Sequence, residues 1–409
     1  MKNFQEMPLQ PRLKQALAAN DFVTPTPVQT QAIPPALDGD DVIATAQTGT
    51  GKTLAFLIPT LEMLVQVPVG HVNALVLVPT RELAIQVHEQ HEKLRSKKSP
   101  PAALVIGGLS EKEQLRQIKA GARVIVATPG RLEDYMRRKL VNLNFVCVLV
   151  LDEVDRMLDM GFLPAITRIL SALPKDRQTL CFSATLEKSV QHLLTKCTRD
   201  AVRIEIGNIL KPAELVELAA YEVPLMQKRS VLRELITEEP GKTLIFARTR
   251  RGAERLARDL VRDGYSASMI HGDRTQSQRM AALSGFEKGR FQILVATDVA
   301  ARGLHIGEVL HVINYDLPNM AEDFIHRVGR TGRAGHTGRA TSIVSGAEMI
   351  ELRRFEKALK LKIERKFLSE DAAANAEASA KPISISRGRR DSNTLRSRTL
   401  TRLPGEIFA

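Results

Sequence analysis

The chain has 409 residues, of which 44% are apolar and 26% charged, a composition typical of a soluble protein with two or three domains. No apolar run reaches the roughly 18 residues of a membrane helix, the first residues lack a signal-peptide core, and the three cysteines form no CxxC pair, so we expect a protein of the reducing cytoplasm. The formal charge of +13 indicates a polyanionic partner, nucleic acid first, or a basic protein kept soluble by its charge.

Two series of short apolar runs, separated by helical patterns, follow one another along the chain. Near-continuous apolar strands between helices indicate parallel sheets that helices cover on both faces. The expected fold class is therefore α/β, with two similar domains in tandem. The predicted strands are 41–44, 74–78, 104–106, 124–127, 147–151 and 179–182, then 243–246, 267–270, 293–296, 309–313 and 340–344.

The change of pattern near residue 207 predicts a boundary between the domains. We expect an N-terminal ATP-binding domain at 1–206, a linker at 207–218, a second domain at 219–368 and a tail at 369–409. The tail has seven basic residues and one acid between 381 and 402, with few large apolar groups, which predicts a disordered segment. It either binds nucleic acid phosphates without sequence preference or is a solvated tail with no binding role.

A glycine-rich segment follows the first predicted strand and opens a helix. Its backbone N–H groups and the helix N-terminus form a cradle for phosphates. In this pattern Lys52 reaches the β- and γ-phosphates and Thr53 holds Mg²⁺. Ala46 replaces the usual first glycine. The segment is Ala46-Gln47-Thr48-Gly49-Thr50-Gly51-Lys52-Thr53.

An acidic cluster, Asp152-Glu153-Val154-Asp155, comes directly after the predicted strand 147–151. A carboxylate at that strand end can hold Mg²⁺, and its neighbour can accept the proton of the attacking water. An acidic turn alone is more often a solvated loop. Combined with the phosphate-binding segment about 100 residues earlier, it predicts ATP hydrolysis.

Three further motifs occur in a fixed order. The run 25–29 (PTPVQ), with Phe22 before it, precedes the phosphate-binding segment; Ser183-Ala184-Thr185 follows the next strand; and 326–333 (HRVGRTGR) lies in the second domain. With them, the chain resembles the DEAD-box RNA helicases over about 4–367. The run DRMLDMGF and the short basic tail are most similar to the bacterial RhlE-like subgroup.

The resemblance implies two RecA-like domains that bind ATP and Mg²⁺ in their shared cleft. It implies that Gln29 reads the adenine, Asp152 and Thr53 hold Mg²⁺ and Glu153 acts as general base. Ser183 and Thr185 would link hydrolysis to closure, and Asp155 belongs to the implied catalytic set. Arg330 and Arg333 would act as arginine fingers, with Asp298 near the ribose. The implied nucleotide-binding set is Phe22, Thr24, Gln29, Ala46, Gln47, Thr48, Gly49, Thr50, Gly51, Lys52, Thr53, Asp298, Arg330 and Arg333.

RNA, single-stranded or as a short duplex, is the implied closing ligand. The family holds its backbone with amides, hydroxyls and arginines, which read no base sequence. Each of these motifs taken alone is more often a capped turn. The matching positions are Thr80, Arg81, Gly108, Thr128 and Arg131 in the first domain and Arg248, Gln276, Arg279, Thr297 and Arg302 in the second.

Two substitutions depart from the family pattern. Val154 replaces an alanine and adds two methyl groups beside the catalytic pair, a change that we expect the site to tolerate because all its charged members remain. His305 replaces an aspartate and predicts either weakened coupling between RNA binding and hydrolysis or no effect. An RNA-dependent ATPase that unwinds short duplexes, an ATP-gated RNA clamp with weak turnover and a DNA helicase all stay open. Ribosome assembly and RNA decay are both open as settings, with their proteins as candidate partners.

Overall fold

The computed structural model describes residues 3–46, 49–95, 101–206, 216–301, 309–332 and 337–366. These residues form two lobes, which we call lobe 1 (3–206) and lobe 2 (216–366). The predicted tail at 369–409 and most of the predicted linker lie outside the described residues. Among the described helices, none is both long enough and apolar enough to cross a membrane.

Lobe 1 contains a seven-stranded parallel sheet in the order β3-β4-β2-β5-β6-β1-β7. Its five central strands, β4, β2, β5, β6 and β1, are mostly apolar and are buried at every residue, because helices cover both faces. The strands are β1 (Val42–Thr45), β2 (Ala74–Leu77), β3 (Ala103–Val105), β4 (Val124–Ala127), β5 (Val148–Asp152), β6 (Gln178–Ser183) and β7 (Val202–Glu205). The helices are α1 (Pro11–Ala19), α2 (Pro27–Leu37), α3 (Lys52–Gln66), α4 (Arg81–Leu94), α5 (Glu111–Lys119), α6 (Pro129–Arg137), α7 (Val154–Asp159), α8 (Leu163–Ala172) and α9 (Lys188–Cys197).

Lobe 2 contains a second seven-stranded parallel sheet, in the order β10-β11-β9-β12-β13-β8-β14. Its first strand begins at Val216, so the last three residues of the predicted linker, 216–218, are paired with β13. The strands are β8 (Val216–Glu222), β9 (Thr243–Phe246), β10 (Ala267–Ile270), β11 (Ile293–Ala296), β12 (His311–Asn314), β13 (Gly338–Val344) and β14 (Glu364–Lys366). The helices are α10 (Lys228–Glu238), α11 (Arg250–Arg262), α12 (Gln276–Glu287), α13 (Asp298–Ala301), α14 (Ala321–Val328) and α15 (Ala347–Leu359).

Both lobes confirm the predicted parallel sheets, and the carboxyl ends of their strands lie at one edge of each sheet. Ligands of open α/β sheets bind outside these ends. Local signals fix the helices that begin there: Thr80 caps α4 by accepting a hydrogen bond from the Leu83 amide (3.2 Å), and Thr249 caps α11 through the Gly252 amide (3.0 Å).

Candidate nucleotide site between the two lobes

The segment after β1 turns through two glycines in the left-handed conformation. Gly49 has φ 86° and Gly51 has φ 93°, and α3 begins at Lys52 directly after them. A Cβ at Gly51 would lie 2.4 Å from Gln29 Nε2, so a side chain there would displace the Gln29 amide, and the positive φ itself favours glycine. Gln47 and Thr48 of the predicted segment lie outside the described residues.

Lys52 is buried in this turn, where its Nζ donates a hydrogen bond to the Ala46 carbonyl (3.0 Å). The side chain therefore curls back over the segment, inside a cavity of about 440 Å³. Both lobes contribute to the cavity wall, lobe 2 through Glu287 and Arg330. From the predicted nucleotide-binding set, the wall includes Phe22, Thr24, Gln29, Gly49, Gly51, Lys52, Thr53 and Arg330.

Asp152 and Glu153 lie side by side in this cavity and are both buried. Burial raises the pKa of Asp152 to about 7, against the attraction of Lys52, and the neighbouring Glu153 charge adds to the rise. For Glu153 burial acts in the same direction, but Arg156, Lys52 and Arg330 outweigh it and lower the pKa to about 2. The two adjacent carboxyls thus have opposite shifts, which is typical of a catalytic pair.

Asp152 fits the requirements of a magnesium ligand. Its Oδ1 accepts a hydrogen bond from the Glu153 amide (2.9 Å). Burial disfavours the ionised carboxylate, which a bound cation would stabilise. Mg²⁺ is commonly held by one or two carboxylates together with substrate phosphates. Within the described residues no group of three or more His, Cys, Asp or Glu could hold a metal by itself, so phosphate and Thr53 would have to complete the site.

Asp155 joins the acidic cluster to the segment after β6. Its Oδ2 accepts hydrogen bonds from the amides of Ala184 (3.0 Å) and Thr185 (2.9 Å) and from the Thr185 hydroxyl (3.2 Å). The Asp155 amide donates in turn to Ser183 Oγ (3.2 Å). The two predicted motifs therefore form one rigid unit, and a shift of either one moves the other.

Val154 packs into the apolar cluster on one face of the first sheet and is fully buried. It is absent from the cavity wall, so its two additional methyl groups do not line the site. His305, the other departure, lies outside the described residues.

The predicted adenine-binding residues line the same cavity as the acidic pair. Gln29 Oε1 accepts from the Thr26 amide (2.8 Å), and its Nε2 donates to the Gly51 carbonyl (2.9 Å). Phe4 also lines the cavity, held there by a hydrogen bond from its amide to the Val23 carbonyl (3.1 Å). Sequence reasoning missed Phe4, although an isolated aromatic residue near the start of a chain with few aromatics was a signal.

Lobe 2 presents α14 to this site. Arg330 follows α14, is buried, and lies close enough to lower the pKa of Glu153 across the cleft. Burial also lowers the pKa of His326 well below its usual value, so this side chain is neutral at pH 7. Asp298, predicted near a ribose, forms a two-pronged pair with Arg327 (2.5 and 2.6 Å). Arg333 lies outside the described residues.

The predicted RNA positions of lobe 1 cluster at the carboxyl edge of its sheet. The Arg81 guanidinium fills the space over Gly108, where a Cβ would lie 2.5 Å from Nη1. Thr128 is buried at the start of α6. Arg131 binds Glu111 (3.1 Å) and Asp134 (3.3 Å), so a phosphate at Arg131 has to compete with two carboxylates.

In lobe 2, Gln276 and Arg279 are engaged across the cleft. Gln276 Nε2 donates to Glu82 Oε1 (2.9 Å), and Arg279 Nη2 pairs with Glu82 Oε2 (2.8 Å). Glu82 is almost fully buried, and its two oxygens bind two residues of the other lobe. The sequence analysis assigned these two residues to RNA and did not predict their contact with Glu82, because a contact between residues 194 positions apart has no local signal.

The remaining predicted RNA positions are on the same edge of lobe 2. Arg248 is half-exposed and pairs with Glu348 (3.0 Å), while its amide binds Asp316 (2.9 Å). Thr297 is buried, and its carbonyl accepts from the Ala300 amide (3.0 Å) at the start of α13. Arg302 lies outside the described residues.

A phosphate-binding loop, an adjacent acidic pair and an arginine from a second α/β lobe define a two-lobed P-loop nucleotide hydrolase. Two family models match the chain, "DEAD/DEAH box helicase" over 26–193 and "Helicase conserved C-terminal domain" over 227–335. The chain is also 43% identical over 347 residues to DEAD-box ATP-dependent RNA helicase 30 of Arabidopsis thaliana. That match covers 83% of this chain and 59% of the plant protein, so the chain spans less than two thirds of that relative's length.

The chain is 41% identical to the DEAD-box ATP-dependent RNA helicase CshA of Geobacillus kaustophilus, over 89% of this chain and 78% of that one. Among solved structures it is similar to S. cerevisiae Dbp5 bound to RNA and ADP BeF3, with a TM-score of 0.82 and 31% identity over 92% of this chain and 98% of the other. The chain therefore belongs to the DEAD-box family of ATP-dependent RNA helicases. The predicted enzyme class and the two RecA-like domains are confirmed, whereas the roles of individual residues stay predictions.

Proposed function

We propose that the chain is an RNA-dependent ATPase that locally unwinds short RNA duplexes or remodels ribonucleoproteins, with hydrolysis coupled to closure of its lobes on RNA. The main supporting observation is that Arg330 of lobe 2 lines the same cavity as Lys52 and Glu153 of lobe 1. An arginine supplied by a second body acts only when the two bodies are together. Hydrolysis then depends on whatever holds the lobes closed.

Each residue of the cavity has a role in this proposal. Lys52 binds the β- and γ-phosphates, and Asp152 and Thr53 hold Mg²⁺, which neutralises charge on the phosphate oxygens when bound. Glu153 stays ionised at neutral pH because its pKa is lowered to about 2, so it can accept a proton from water. Arg330 stabilises the charge that develops on the transferred phosphate.

Gln29 is suited to recognise adenine even though its amide is already engaged. Its carboxamide has two N–H groups and two lone pairs, and the bonds to Gly51 and Thr26 use one of each. One donor and one acceptor stay available for the adenine edge. Because the same side chain touches Gly51, adenine binding is coupled to the phosphate loop.

RNA is proposed as the closing ligand because the predicted backbone-binding positions of both lobes lie along the edges that meet at the cleft. Arg81 and Arg131 lie on one side and Arg248 on the other, and all three can bind phosphate oxygens. Such contacts fix the position of a strand but select no sequence. Similarity to RNA-bound Dbp5 supports the same ligand.

Steady-state ATP hydrolysis with and without RNA tests the function. In Glu153→Gln we expect turnover to fall at least about 100-fold with ATP binding retained, and in Arg330→Ala about 1000-fold, since arginine fingers contribute 10³–10⁵. Arg354→Ala, an exposed arginine on α15, is the matched control and should keep wild-type turnover. Full RNA-stimulated turnover in Arg330→Ala would contradict the coupling.

The same assay separates the helicase from an ATP-gated RNA clamp with weak turnover, which would bind RNA with ATP but hydrolyse it slowly. No described residue favours the clamp, since Val154 is absent from the cavity wall. We also propose that the chain belongs to the RhlE-like subgroup, as the run 155–162 suggests, and that it is located in the cytoplasm.

A further inference from the structure

Building on the proposed function, we propose that the outer face of α11 in lobe 2 is a second RNA-binding surface, which holds the phosphate backbone of a duplex beside Arg248. We call this surface the arginine stripe. It consists of Arg251, Arg255, Arg258 and Arg262, all of which are exposed.

Helical spacing gathers these four side chains on one line. At 3.6 residues per turn, positions i, i+4, i+7 and i+11 fall within about 60° of the helix circumference. The buried face of α11, formed by Ala253, Leu256, Ala257 and Leu260, lies on the opposite side and packs against the sheet. No residue of the stripe is therefore needed for packing.

Much of the positive charge of the stripe is available to a ligand. Arg258 pairs with Glu254 (3.5 Å) and Arg262 with Asp259 (2.8 Å), at exposures of 68% and 73% for the two arginines. Within the described residues, Arg251 and Arg255 form no ion pair. Exposed ion pairs of this kind are weak, so phosphates can displace them.

The stripe continues the predicted RNA site. β9 ends at Phe246, Arg248 follows at the carboxyl edge of the sheet, and the stripe starts three residues later. From Arg251 it extends about 16 Å away from the cleft, at 1.5 Å per residue. A nucleic acid bound at Arg248 therefore meets four further guanidinium groups along its path.

The chemistry of the stripe fits a duplex backbone. Guanidinium groups bind phosphate oxygens through two parallel hydrogen bonds. The helix has no aromatic residue on which an unpaired base could stack, so the contacts are restricted to the backbone, which a duplex presents on its surface. An acidic protein would satisfy the charge as well, but continuity with Arg248 favours RNA.

Neutralising the stripe tests the proposal. The variant Arg251→Gln/Arg255→Gln/Arg258→Gln/Arg262→Gln should bind an RNA duplex with a single-stranded overhang at least ten-fold more weakly than wild type. The slope of log affinity against log salt should become shallower by about 0.7–0.9 for each lost phosphate contact. A second variant, Arg251→Gln/Arg255→Gln, removes only the two unpaired cations, keeps both ion pairs, and should show about half of the change in slope.

A control with the same change of net charge replaces four exposed lobe 1 arginines by glutamine, Arg116, Arg137, Arg168 and Arg199. It should bind the duplex nearly as wild type does. ATP hydrolysis stimulated by a short single strand should be unchanged in the stripe variants, because the cleft is intact.

Equal duplex affinity and equal salt slope in the stripe variants and the control would overturn the proposal and leave the stripe as a solvated face or a site for an acidic protein. If the proposed function is wrong, a different result is expected, namely that the wild-type protein shows no RNA-stimulated ATP hydrolysis. The duplex-binding comparison stays informative in that case, because it does not depend on turnover.

Discussion

The two lobes are versions of one architecture. The strand orders β3-β4-β2-β5-β6-β1-β7 and β10-β11-β9-β12-β13-β8-β14 become identical when seven is subtracted from each number of the second. In both lobes the first strand in sequence leads to a helix whose first residue is a buried lysine, Lys52 in α3 and Lys228 in α10.

The two lysines differ in what surrounds them. Lys52 follows a turn with two left-handed glycines and donates to the Ala46 carbonyl. Lys228 follows Gln227, which has φ −90°, and its Nζ binds Glu348 Oε2 (2.6 Å) and the Tyr315 carbonyl (2.7 Å). Glu348 thus forms a direct ion pair with the lysine of lobe 2, whereas Lys52 forms no such pair with a described residue, as the proposed contact with phosphate requires. The fold is shared, and on the proposed function the turn and the acid determine which lobe binds a nucleotide.

Replacement of each lysine by alanine should give the largest difference between the two lobes. We expect Lys52→Ala to reduce ATP turnover at least about 100-fold with little change in stability, because the lysine acts on phosphate. We expect Lys228→Ala to destabilise lobe 2 by about 3 kcal/mol, because it breaks a buried ion pair.

Tyrosine fluorescence separates the two effects. The chain has no tryptophan, and three of its four tyrosines (Tyr221, Tyr265 and Tyr315) belong to lobe 2. Urea unfolding followed by tyrosine emission should therefore shift for Lys228→Ala and not for Lys52→Ala. A Lys228→Ala protein that unfolds as wild type would show that the pair with Glu348 contributes nothing.

The strands with a continuous apolar run could be predicted from the sequence, whereas the strands with charged residues could not. The runs 124–127, 243–246, 267–270 and 293–296 coincide with strands because buried parallel strands are apolar throughout. Three strands were missed, β7, β8 and β14, because each of them contains charged residues that interrupt the apolar pattern.

The candidate site likewise contains residues that the sequence predicts and residues that it does not. Lys52, Asp152 and Glu153 belong to contiguous motifs, and the apolar runs that precede these motifs suffice to place all three at one strand edge. Glu82 and Phe4 depend on residues distant in sequence. Neither the burial of Glu82 nor its two partners follows from a local pattern, because the contact forms only when two independent lobes meet.

The glycine of the turn gives the next largest effect. In Gly51→Ala we expect an ATP affinity lower by at least about ten-fold, since the new Cβ lies 2.4 Å from Gln29 Nε2 and an L-residue is strained at φ 93°. The equivalent cap of α10 is Gln227, and Gln227→Ala should leave ATP affinity unchanged. Isothermal titration with a non-hydrolysable ATP analogue measures both; equal affinities would show that the turn tolerates a side chain.

Two carboxylates of α4 have opposite interactions with lobe 2 across the cleft. Glu82 attracts Gln276 and Arg279, whereas the exposed Glu89 helps burial to raise the pKa of Glu287 in lobe 2, which indicates repulsion across the cleft. We expect Glu82→Gln to lower RNA-stimulated turnover about ten-fold, by weakening a charged contact between the lobes. Glu89→Gln should leave it equal or slightly higher. A loss of the same size in both variants would show that helix stability, not closure, was measured.

The smallest effect is a pH dependence specific to lobe 2. Burial lowers the pKa of His311 to about 4, with Arg339 adding to the shift, while Nε2 bonds Thr341 Oγ1 (2.8 Å). The unfolded chain binds this proton below about pH 6.5 and the folded chain only below about pH 4, so stability falls as pH drops between these values.

Between pH 6.5 and 5.5 we expect lobe 2 to lose about 1 kcal/mol, since the limit is 1.36 kcal/mol per pH unit for one proton. In His311→Gln the amide can still bond Thr341, and the slope of the unfolding free energy against pH should flatten. Glu239 lies 3.5 Å from His311 Nδ1, and Glu217 lies nearby. Hydrogen bonds from Lys366 and Arg339 lower the pKa of Glu217, so this carboxylate stays ionised in the interval and adds little to the slope. Urea unfolding of wild type and variant, followed by tyrosine emission at several pH values, measures the difference; parallel curves would assign the pH dependence to other groups.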